Sequence, residues 1–259
     1  MKTIKLGSSG NEVLDLQRKL INQGYLWITE TGIFDESVHK AVMSFQRIRG
    51  LQVDGVVGPK TWNEFSNVGR LTENDFIRCA QAIGTDVATI KAVCEVESGG
   101  SGFISPNKPK ILFEGHIFWI ELKKSGLKPE YYALGNEDIL YKTWNKTKYL
   151  GGSKEYDRLE KAIVIDRCCA LKSASWGLFQ IMGFNYLMCG CETIDDFVSK
   201  MKRSEGSQLD LFIEFIKRNA LGGYLRDLDW AGFAKAYNGP GYRENKYDEK
   251  LESAYKKYK

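Results

Sequence analysis

Hydrophobic residues recur at helical spacing in three short stretches of residues 1–66, and polar or glycine-containing segments separate the stretches. Asp35 suits a helix N-cap, Pro59 suits the first position of a helix, and Gly50 follows the second stretch. The apolar positions are Val13, Leu14, Leu16, Leu20 and Ile21; Val38, Ala41, Val42, Phe45 and Ile48; and Trp62 and Phe65. The pattern predicts a small three-helix domain at residues 1–66.

A larger domain is predicted at residues 73–259, after a linker at residues 67–72. The segment from Thr72 to Asp75 has the form of a capping box with Asp in its last place, and it opens a helix through Ile83. Most of the later apolar patterns are also helical, with one short extended passage. The predicted fold class is therefore mainly α, with a minor β element in the larger domain.

The next predicted helix carries Glu97 in its last turn. Thr85 is its expected cap, and Gly99 and Gly100 stop it. The negative end of the helix dipole and an apolar neighbourhood would both raise the pKa of Glu97, which favours a protonated carboxyl near neutral pH. Such a group can act as the general acid of a glycosidase. The alternative is an exposed glutamate at an ordinary helix end.

A short extended passage, residues 109–114, ends at Glu114 and leads into a helix. Glu114 and His116 would lie on the same side of an extended backbone. They are either residues of a cleft or framework residues, Glu114 in a salt bridge and His116 in a hydrogen bond at the helix start. Beyond them, residues 126–154 are rich in Tyr, Asn, Lys and Gly and predict exposed loops. The aromatic residues there, Tyr131, Tyr132 and Trp144, suit either sugar stacking or loop anchoring.

An apolar run from Ser173 to Gly183 predicts a helix that enters the floor of a cleft. Gln180 is its one strong hydrogen-bonding side chain, and its amide suits sugar hydroxyls or an N-acetyl group. Residues 230–237 predict a short helix that stops at Asn238 and Gly239, with Asn238 near the left-handed conformation. Residues 247–258 predict an outer amphipathic helix.

The composition is that of a globular protein, since 43% of the 259 residues are hydrophobic and 27% are charged. The apolar runs are too short to span a membrane, and the N-terminus lacks the apolar block of a signal peptide. We therefore expect synthesis in a cytoplasm without the usual export. A net charge of +4 favours anionic partners only mildly and falls short of the basic face of a nucleic-acid-binding protein.

Six cysteines are expected to be reduced in a cytoplasm. Cys168, Cys169, Cys189 and Cys191 lie close in sequence, but their spacing matches zinc sites poorly, and small buried apolar residues are the favoured interpretation. The chain has only two histidines, which disfavours a catalytic metal held by several of them. No metal or other cofactor is expected.

The first 66 residues resemble the small peptidoglycan-binding domain of many cell-wall hydrolases. The resemblance covers nearly the whole segment, although most matching positions are core and turn residues. Asp35 stands where that family often has Gly. The matching residues are Gly10, Val13, Leu16, Gln17, Leu20, Gly24, Tyr25, Gly32, Phe34, Ala41, Val42, Phe45, Gln46, Gly50, Leu51, Asp54, Gly55, Gly58, Thr61 and Trp62.

Three motifs of the larger domain occur in the order seen in goose-type lysozymes and lytic transglycosylases. They are Glu97-Ser98-Gly99, Trp176-Gly177-Leu178-Phe179-Gln180-Ile181 and Ala236-Tyr237-Asn238-Gly239. Residues 92–103, 111–118 and 175–185 also resemble the phage N-acetylmuramidase family of the lysozyme-like superfamily. That family normally has Arg where this chain has Gly115, which puts a role for that side chain in doubt.

The resemblance implies a lysozyme-type hydrolase that cleaves the β-1,4 bond between N-acetylmuramic acid and N-acetylglucosamine. Glu97 would be the catalytic acid, and Ser98, His116, Gln180, Tyr237 and Asn238 would contact substrate. Glu114 is the first candidate to activate water, followed by Glu95, which points to another helix face. A lytic transglycosylase, which forms 1,6-anhydromuramyl products without a second carboxylate, is the alternative outcome.

The sequence is also compatible with two other functions: a catalytically inactive scaffold that binds peptidoglycan and, more weakly, a nucleic-acid-binding protein. The implied biological role is that of a phage endolysin. Such a protein waits as a folded monomer in the host cytoplasm, without membrane insertion, and reaches the periplasm and cell wall at lysis. Its partner would be bacterial peptidoglycan.

Overall fold

Three helices carry the apolar stripes of the N-terminal region in the computed structural model, which describes residues 2–66, 69–105 and 107–259. They are α1 (Asn11–Asn22), α2 (Glu36–Ile48) and α3 (Pro59–Ser66). The Asp35 carboxylate caps α2 by accepting a 3.0 Å hydrogen bond from Val38 N. The predicted three-helix domain is confirmed. Its buried core is formed by Ile4, Val13, Leu16, Leu20, Tyr25, Ile28, Phe34, Val38, Ala41, Val42, Phe45, Val57, Trp62 and Phe65.

Two buried glutamines hold the turns of this region. Gln17 Oε1 accepts a 2.8 Å hydrogen bond from Gly32 N, and Gln46 Oε1 accepts one of 2.9 Å from Gly55 N. Gly55 has a φ of +68°, and a Cβ there would lie 2.0 Å from the His39 ring. These polar and glycine residues are therefore required by the packing of the domain itself.

The chain separates into two compact units, Met1–Val68 and Gly69–Lys259. Of the predicted linker, Asn67 and Val68 lie outside the described residues. The rest belongs to the second unit, since Leu71 N donates a 3.2 Å hydrogen bond to Glu205 Oε2 and Thr72 caps the next helix. The boundaries 1–66 and 73–259 stay a prediction at the level of single residues.

The second unit is mostly helical, with two small antiparallel sheets. Its helices are α4 (Glu73–Ile83), α5 (Val87–Glu97), α6 (Gly115–Lys124), α7 (Glu130–Ala133), α8 (Lys154–Ile165), α9 (Arg167–Lys172), α10 (Ile194–Met201), α11 (Glu205–Arg218), α12 (Gly222–Arg226), α13 (Trp230–Asn238) and α14 (Tyr247–Tyr258). Strands β1 (Phe103–Ser105) and β2 (Lys108–Pro109) form one sheet, and β3 (Ile111–Phe113), β4 (Ala174–Trp176) and β5 (Ile181–Met182) form the other, in that order. The predicted fold class is confirmed.

The start of α5 differs by one residue from the prediction. The capping box of α4 is confirmed, with Thr72 and Asp75 bonded reciprocally. Thr85 is not the cap of α5, however, because the Asp86 carboxylate accepts the 2.8 Å hydrogen bond from Thr89 N. Asp86 also accepts a bond from Tyr255 of α14, which fixes the outer C-terminal helix against α5.

The helix predicted over residues 173–183 is wrong. This segment forms β4, a turn and β5, and β4 pairs with β3 in the register Ile111 to Trp176 and Leu112 to Ser175. Gly177 and Gln180 have φ angles of +71° and +48°, which a helix cannot contain. Strands of two or three residues have too little periodicity to be recognised in a sequence, and the apolar run therefore resembles a helix.

Five of the six free cysteines are buried, and Cys168 is exposed. The interpretation as buried apolar residues is therefore confirmed for Cys169, Cys189 and Cys191 and wrong for Cys168. Burial raises the pKa of Cys189 to about 12 and the pKa of Cys191 to about 11, so both are thiols at neutral pH. Within the described ranges, no three metal-binding side chains cluster. No described helix is long and apolar enough to cross a membrane.

Candidate active site

Glu97 is the last residue of α5, and its side chain is half-buried. Helix α13 ends beside it, so that Asn238 Nδ2 donates a 3.0 Å hydrogen bond to Glu97 Oε1. Gly239 has a φ of +86°, whereas Asn238 keeps helical geometry. The expectation of a left-handed Asn238 is therefore wrong, and Gly239 provides the chain reversal that ends α13 at the carboxyl group.

Burial in low-dielectric surroundings raises the pKa of Glu97, and the hydrogen bond from Asn238 offsets part of that rise. The amide favours the ionised form because it donates to it, while desolvation favours the neutral form. The net upward direction agrees with the sequence-based expectation. Glu97 is thus a carboxyl group whose surroundings favour holding a proton, as a general acid requires.

Tyr237 precedes Asn238 on α13 and is packed among aromatic rings. Its ring lies parallel to Phe233, with centroids 5.7 Å apart, and edge-on to Phe212 at 5.6 Å. Burial raises the pKa of the Tyr237 hydroxyl, and the charge of nearby Glu97 raises it further. The structure therefore places three sequence-predicted residues, Glu97, Tyr237 and Asn238, in one neighbourhood.

The loop after Glu97 is fixed at several points to the β4–β5 turn and to α11. Gly99 N donates to Leu178 O at 3.4 Å, and Lys110 Nζ donates to Gly99 O at 3.3 Å. Gly102 N donates to the buried Glu205 carboxylate at 2.8 Å. These bonds give the chain leaving the acid a defined path.

Gln208 of α11 completes this support and is fully buried. Its Oε1 accepts a 2.7 Å hydrogen bond from Leu178 N, and its Nε2 donates to Gly102 O at 3.4 Å. A Cβ on Gly102 would lie 2.1 Å from Gln208 Oε1, so a larger residue there would displace the Gln208 amide. Glu205 and Gln208 are not among the residues predicted from the sequence; the available signal was their polarity on the buried side of an amphipathic helix.

The Gln180 amide is engaged by protein atoms. Its Nε2 donates to Gly177 O at 2.7 Å and to Lys110 O at 3.3 Å, and its Oε1 accepts from Ser175 Oγ at 2.9 Å. In this structure the side chain therefore holds the turn between β4 and β5. A contact with substrate stays a prediction for Gln180.

Glu114 lies between β3 and α6, with its backbone N bonded to Ser173 O at 2.9 Å. Its side chain does not cap α6; instead its Oε2 accepts a short hydrogen bond from the Tyr149 hydroxyl. His116 Nδ1 lies 3.4 Å from the same oxygen without hydrogen-bond geometry and has no partner in the described part of the chain. Glu114 and His116 are neighbours as predicted, although His116 is already in the helix. Both side chains are largely but not fully buried.

Gly115 has no space for a side chain. An added Cβ would lie 2.6 Å from the Ile139 carbonyl oxygen and 2.4 Å from the Tyr141 ring. This close approach of two backbone segments explains the glycine. It also means that no side chain from this position can act in the site.

Glu95 makes its side-chain hydrogen bonds with α14, not with Glu97 or Glu114. It is exposed and accepts hydrogen bonds from Lys257 Nζ at 2.8 Å and from the Tyr258 hydroxyl, which lower its pKa. Ser98, the residue at the C-cap of α5, borders a groove of about 640 Å³ that Glu95 and Tyr258 also line. Glu95 thus serves the packing of α14 on α5, and Ser98 is accessible from the surface.

The aromatic residues of the region 126–154 differ in exposure. Tyr131 and Trp144 are 77% and 61% exposed, whereas Tyr132 packs against the core. The region contains α7 and one short 3-10 turn and is otherwise loop, as predicted. Tyr132 is therefore a loop anchor, while Trp144 presents an exposed ring.

Comparison with known proteins identifies two families along the chain. The family model described as N-acetylmuramidase matches residues 86–259, and the model of a peptidoglycan binding domain matches residues 9–64. The chain is also similar to the crystal structure of an endolysin from the Burkholderia AP3 phage. The two chains are 39% identical, the match covers 99% of each, and the TM-score is 0.70.

Proposed function

The chain belongs to the N-acetylmuramidase family, and from that membership and the geometry around Glu97 we propose how it degrades peptidoglycan. The family activity is hydrolysis of a glycosidic bond, which favours hydrolysis over the transglycosylase outcome. The substrate is the β-1,4 bond between N-acetylmuramic acid and N-acetylglucosamine. Glu97 is the general acid, and Glu114 is the base.

The observation that carries this proposal is the half-buried carboxyl of Glu97 with its raised pKa. Its proton passes to the glycosidic oxygen as the bond to C1 breaks and positive charge develops on the sugar ring. A positioned acid of this kind contributes about 10²–10⁴-fold to the rate. Asn238 holds Oε1, so the proton is presented from the other carboxyl oxygen, for which the described residues supply no donor.

Glu114 takes a proton from the water that attacks C1. Tyr149 engages its Oε2, and no described residue donates to its Oε1, so we assign the contact with the attacking water to Oε1. His116 beside it, together with Ser98, Gln180 and Tyr237, forms the proposed contacts to the sugars. Protons then return through solvent, Glu114 losing one and Glu97 regaining one.

The N-terminal domain binds peptidoglycan and keeps the enzyme on its polymeric substrate. Its family match covers residues 9–64, nearly all of the three-helix unit. A tethered binding domain raises the effective concentration of enzyme at the wall without taking part in the chemistry. No nucleic acid and no cofactor is needed in this scheme.

The biological role in this proposal is that of a phage endolysin, as in the similar Burkholderia phage protein. The protein would stay folded and monomeric in the host cytoplasm until lysis and then reach the wall from the periplasmic side. The net charge of +4 modestly favours an anionic envelope.

The test compares wild-type protein with the variants Glu97→Gln and Glu114→Gln on purified peptidoglycan. Each is expected to lose about 10²–10⁴-fold in rate, because each removes one proton-transfer group. Wall binding should be unchanged, since residues 1–66 are intact. Full activity of Glu97→Gln would contradict the proposal, because it would show that Glu97 is not the general acid.

A further inference from the structure

The loop region at residues 126–154 reaches back to Glu114 through Tyr149. Tyr149 lies 35 residues after Glu114 in the chain, yet its hydroxyl donates a short hydrogen bond to Glu114 Oε2. Burial raises the pKa of Tyr149, and the Glu114 carboxylate raises it further, so the hydroxyl stays protonated and remains a donor. The contact is therefore a hydrogen bond directed from the Tyr149 hydroxyl to one oxygen of the Glu114 side chain.

The buried Glu155 carboxylate fixes the loop that carries Tyr149. Its Oε1 accepts hydrogen bonds from Leu150 N at 2.7 Å and from Gly151 N at 2.9 Å, the two residues after Tyr149. Burial alone would raise the pKa of Glu155, but hydrogen bonds from Gly151, Phe113 and Leu150 outweigh it, and the pKa is lowered. The group is thus a buried anion matched to backbone donors.

The same carboxylate also fixes the strand that ends at Glu114. Glu155 Oε2 accepts a 3.1 Å hydrogen bond from Phe113 N, and Arg158 Nη1 donates to Phe113 O at 2.8 Å. Arg158 and Glu155 are bonded to each other at 2.7 Å and are both buried. One ion pair therefore binds both the backbone N–H and the backbone carbonyl of Phe113, the residue before Glu114.

We propose that Tyr149 is a positioning residue for Glu114, set in place by the buried pair Glu155 and Arg158. This inference rests on the proposed function, in which Glu114 activates water. The ion pair fixes the backbone on both sides of the contact, and the Tyr149 hydroxyl fixes the rotation of the carboxylate by holding Oε2. The other oxygen, Oε1, is then presented to water in one orientation.

The orientation of a catalytic carboxylate acts on the reaction step more than on binding. Misplacement of a reacting group by about 1 Å can cost about 10²-fold in rate. Removing the Tyr149 hydroxyl is therefore expected to lower kcat about 10- to 100-fold, with KM changed by less than about threefold. A residue that only stabilised the fold would change the thermal unfolding temperature and the fraction of active enzyme instead.

The experiment is a double-mutant cycle with Tyr149→Phe and Glu114→Gln, assayed by HPLC on soluble glycan strands prepared from peptidoglycan. Tyr149→Phe should lower kcat in the wild-type background and cause no further loss in the Glu114→Gln background, because the group that it positions is gone. Tyr255→Phe is the matched control, because it also removes a tyrosine hydroxyl that donates to a carboxylate oxygen, Asp86 Oδ2 at 2.9 Å. That contact joins α14 to the start of α5 and involves neither Glu97 nor Glu114, so kcat should not change.

Two outcomes would overturn the inference: an unchanged kcat for Tyr149→Phe, or the same fold loss in both backgrounds. Thermal unfolding of each variant excludes a loss caused by misfolding. A fully active Glu114→Gln would instead show that the proposed role of Glu114 is wrong. The failure of the positioning role and the failure of the proposed function are thus told apart by the single variants.

Discussion

Asn238 Nδ2 donates a 3.0 Å hydrogen bond to Glu97 Oε1, although 141 residues separate the two along the chain. The two residues are the C-terminal residues of α13 and α5, so two helix ends meet at one carboxyl group. Because the amide donates to the carboxylate, it opposes the rise in pKa that burial causes. The proton affinity of the acid is therefore set by two opposing and separable contributions.

Removing the amide should shift the pH profile of hydrolysis. Glu97 acts in its protonated form, so activity is lost as the pH rises through its pKa. In Asn238→Ala the contribution that lowers this pKa is gone, and the basic limb of kcat against pH should move to higher pH. Asn219→Ala is the control, because the Asn219 side chain donates to the Phe215 carbonyl at the end of α11. A basic limb that stays in place in Asn238→Ala would exclude Glu97 as the group that titrates there.

Glu97 should also make the stability of the fold depend on pH. Its pKa is raised in the folded state, so its stabilising contribution is fully present below the unfolded pKa and is lost as the pH rises through the folded pKa. Glu97→Gln keeps a side-chain acceptor for Asn238 but cannot ionise. The Tm of this variant relative to wild type should therefore increase from acid to neutral pH, measured by calorimetry. A Tm difference that is constant over this range would mean that Glu97 is not desolvated.

The lack of space at Gly115 predicts a loss of stability for Gly115→Ala. The added Cβ would approach the Ile139 carbonyl oxygen to 2.6 Å, and this atom is backbone that cannot simply move aside. Overpacking of this kind costs about 1–3 kcal/mol in the free energy of unfolding. Gly241→Ala meets no atom within 4 Å and should stay within about 0.5 kcal/mol of wild type. Denaturant unfolding of the two variants measures the contrast, and equal stabilities would show that the loop near Ile139 adapts.

The N-terminal domain should matter for polymeric substrate only. Deletion of residues 1–66 is expected to weaken lysis of whole cell walls strongly and to leave the cleavage of short soluble glycans nearly unchanged. The truncated protein must first show a cooperative unfolding transition, because the second unit has to fold by itself. Equal losses on both substrates would refute the division of labour between the two domains.

Much of the helical structure could be predicted from local signals. The side chains of Asp35 and of the pair Thr72 and Asp75 cap helices, so these residue types predict where α2 and α4 begin. The spacing of the apolar residues predicts how far the helices extend. The β4–β5 hairpin could not be predicted in this way. Its strands are two and three residues long, and its turn depends on a positive φ at Gln180, a residue type that does not favour one.

The candidate site could be predicted in part. Glu97, Tyr237 and Asn238 were found from motifs, and the structure places them together. The supporting contacts were missed because each joins segments far apart in the chain: Gly102 with Glu205 and Tyr149 with Glu114. A hydrogen bond of this kind leaves no periodic or local signature in either segment. The glycine at position 115 could be noted in the sequence, but the reason for it could not. Only the structure shows that the Ile139 carbonyl oxygen leaves no space for a side chain there.

The most direct test of the central claim is mass spectrometry of the products from purified peptidoglycan, with and without borohydride reduction, and with Glu97→Gln as the inactive control. Hydrolysis with Glu97 as acid and Glu114 as base predicts products that end in N-acetylmuramic acid and gain two mass units on reduction, as expected for a reducing sugar end. Products that end in 1,6-anhydromuramic acid and resist reduction would contradict it. Glu114 would then be a framework residue held by Tyr149.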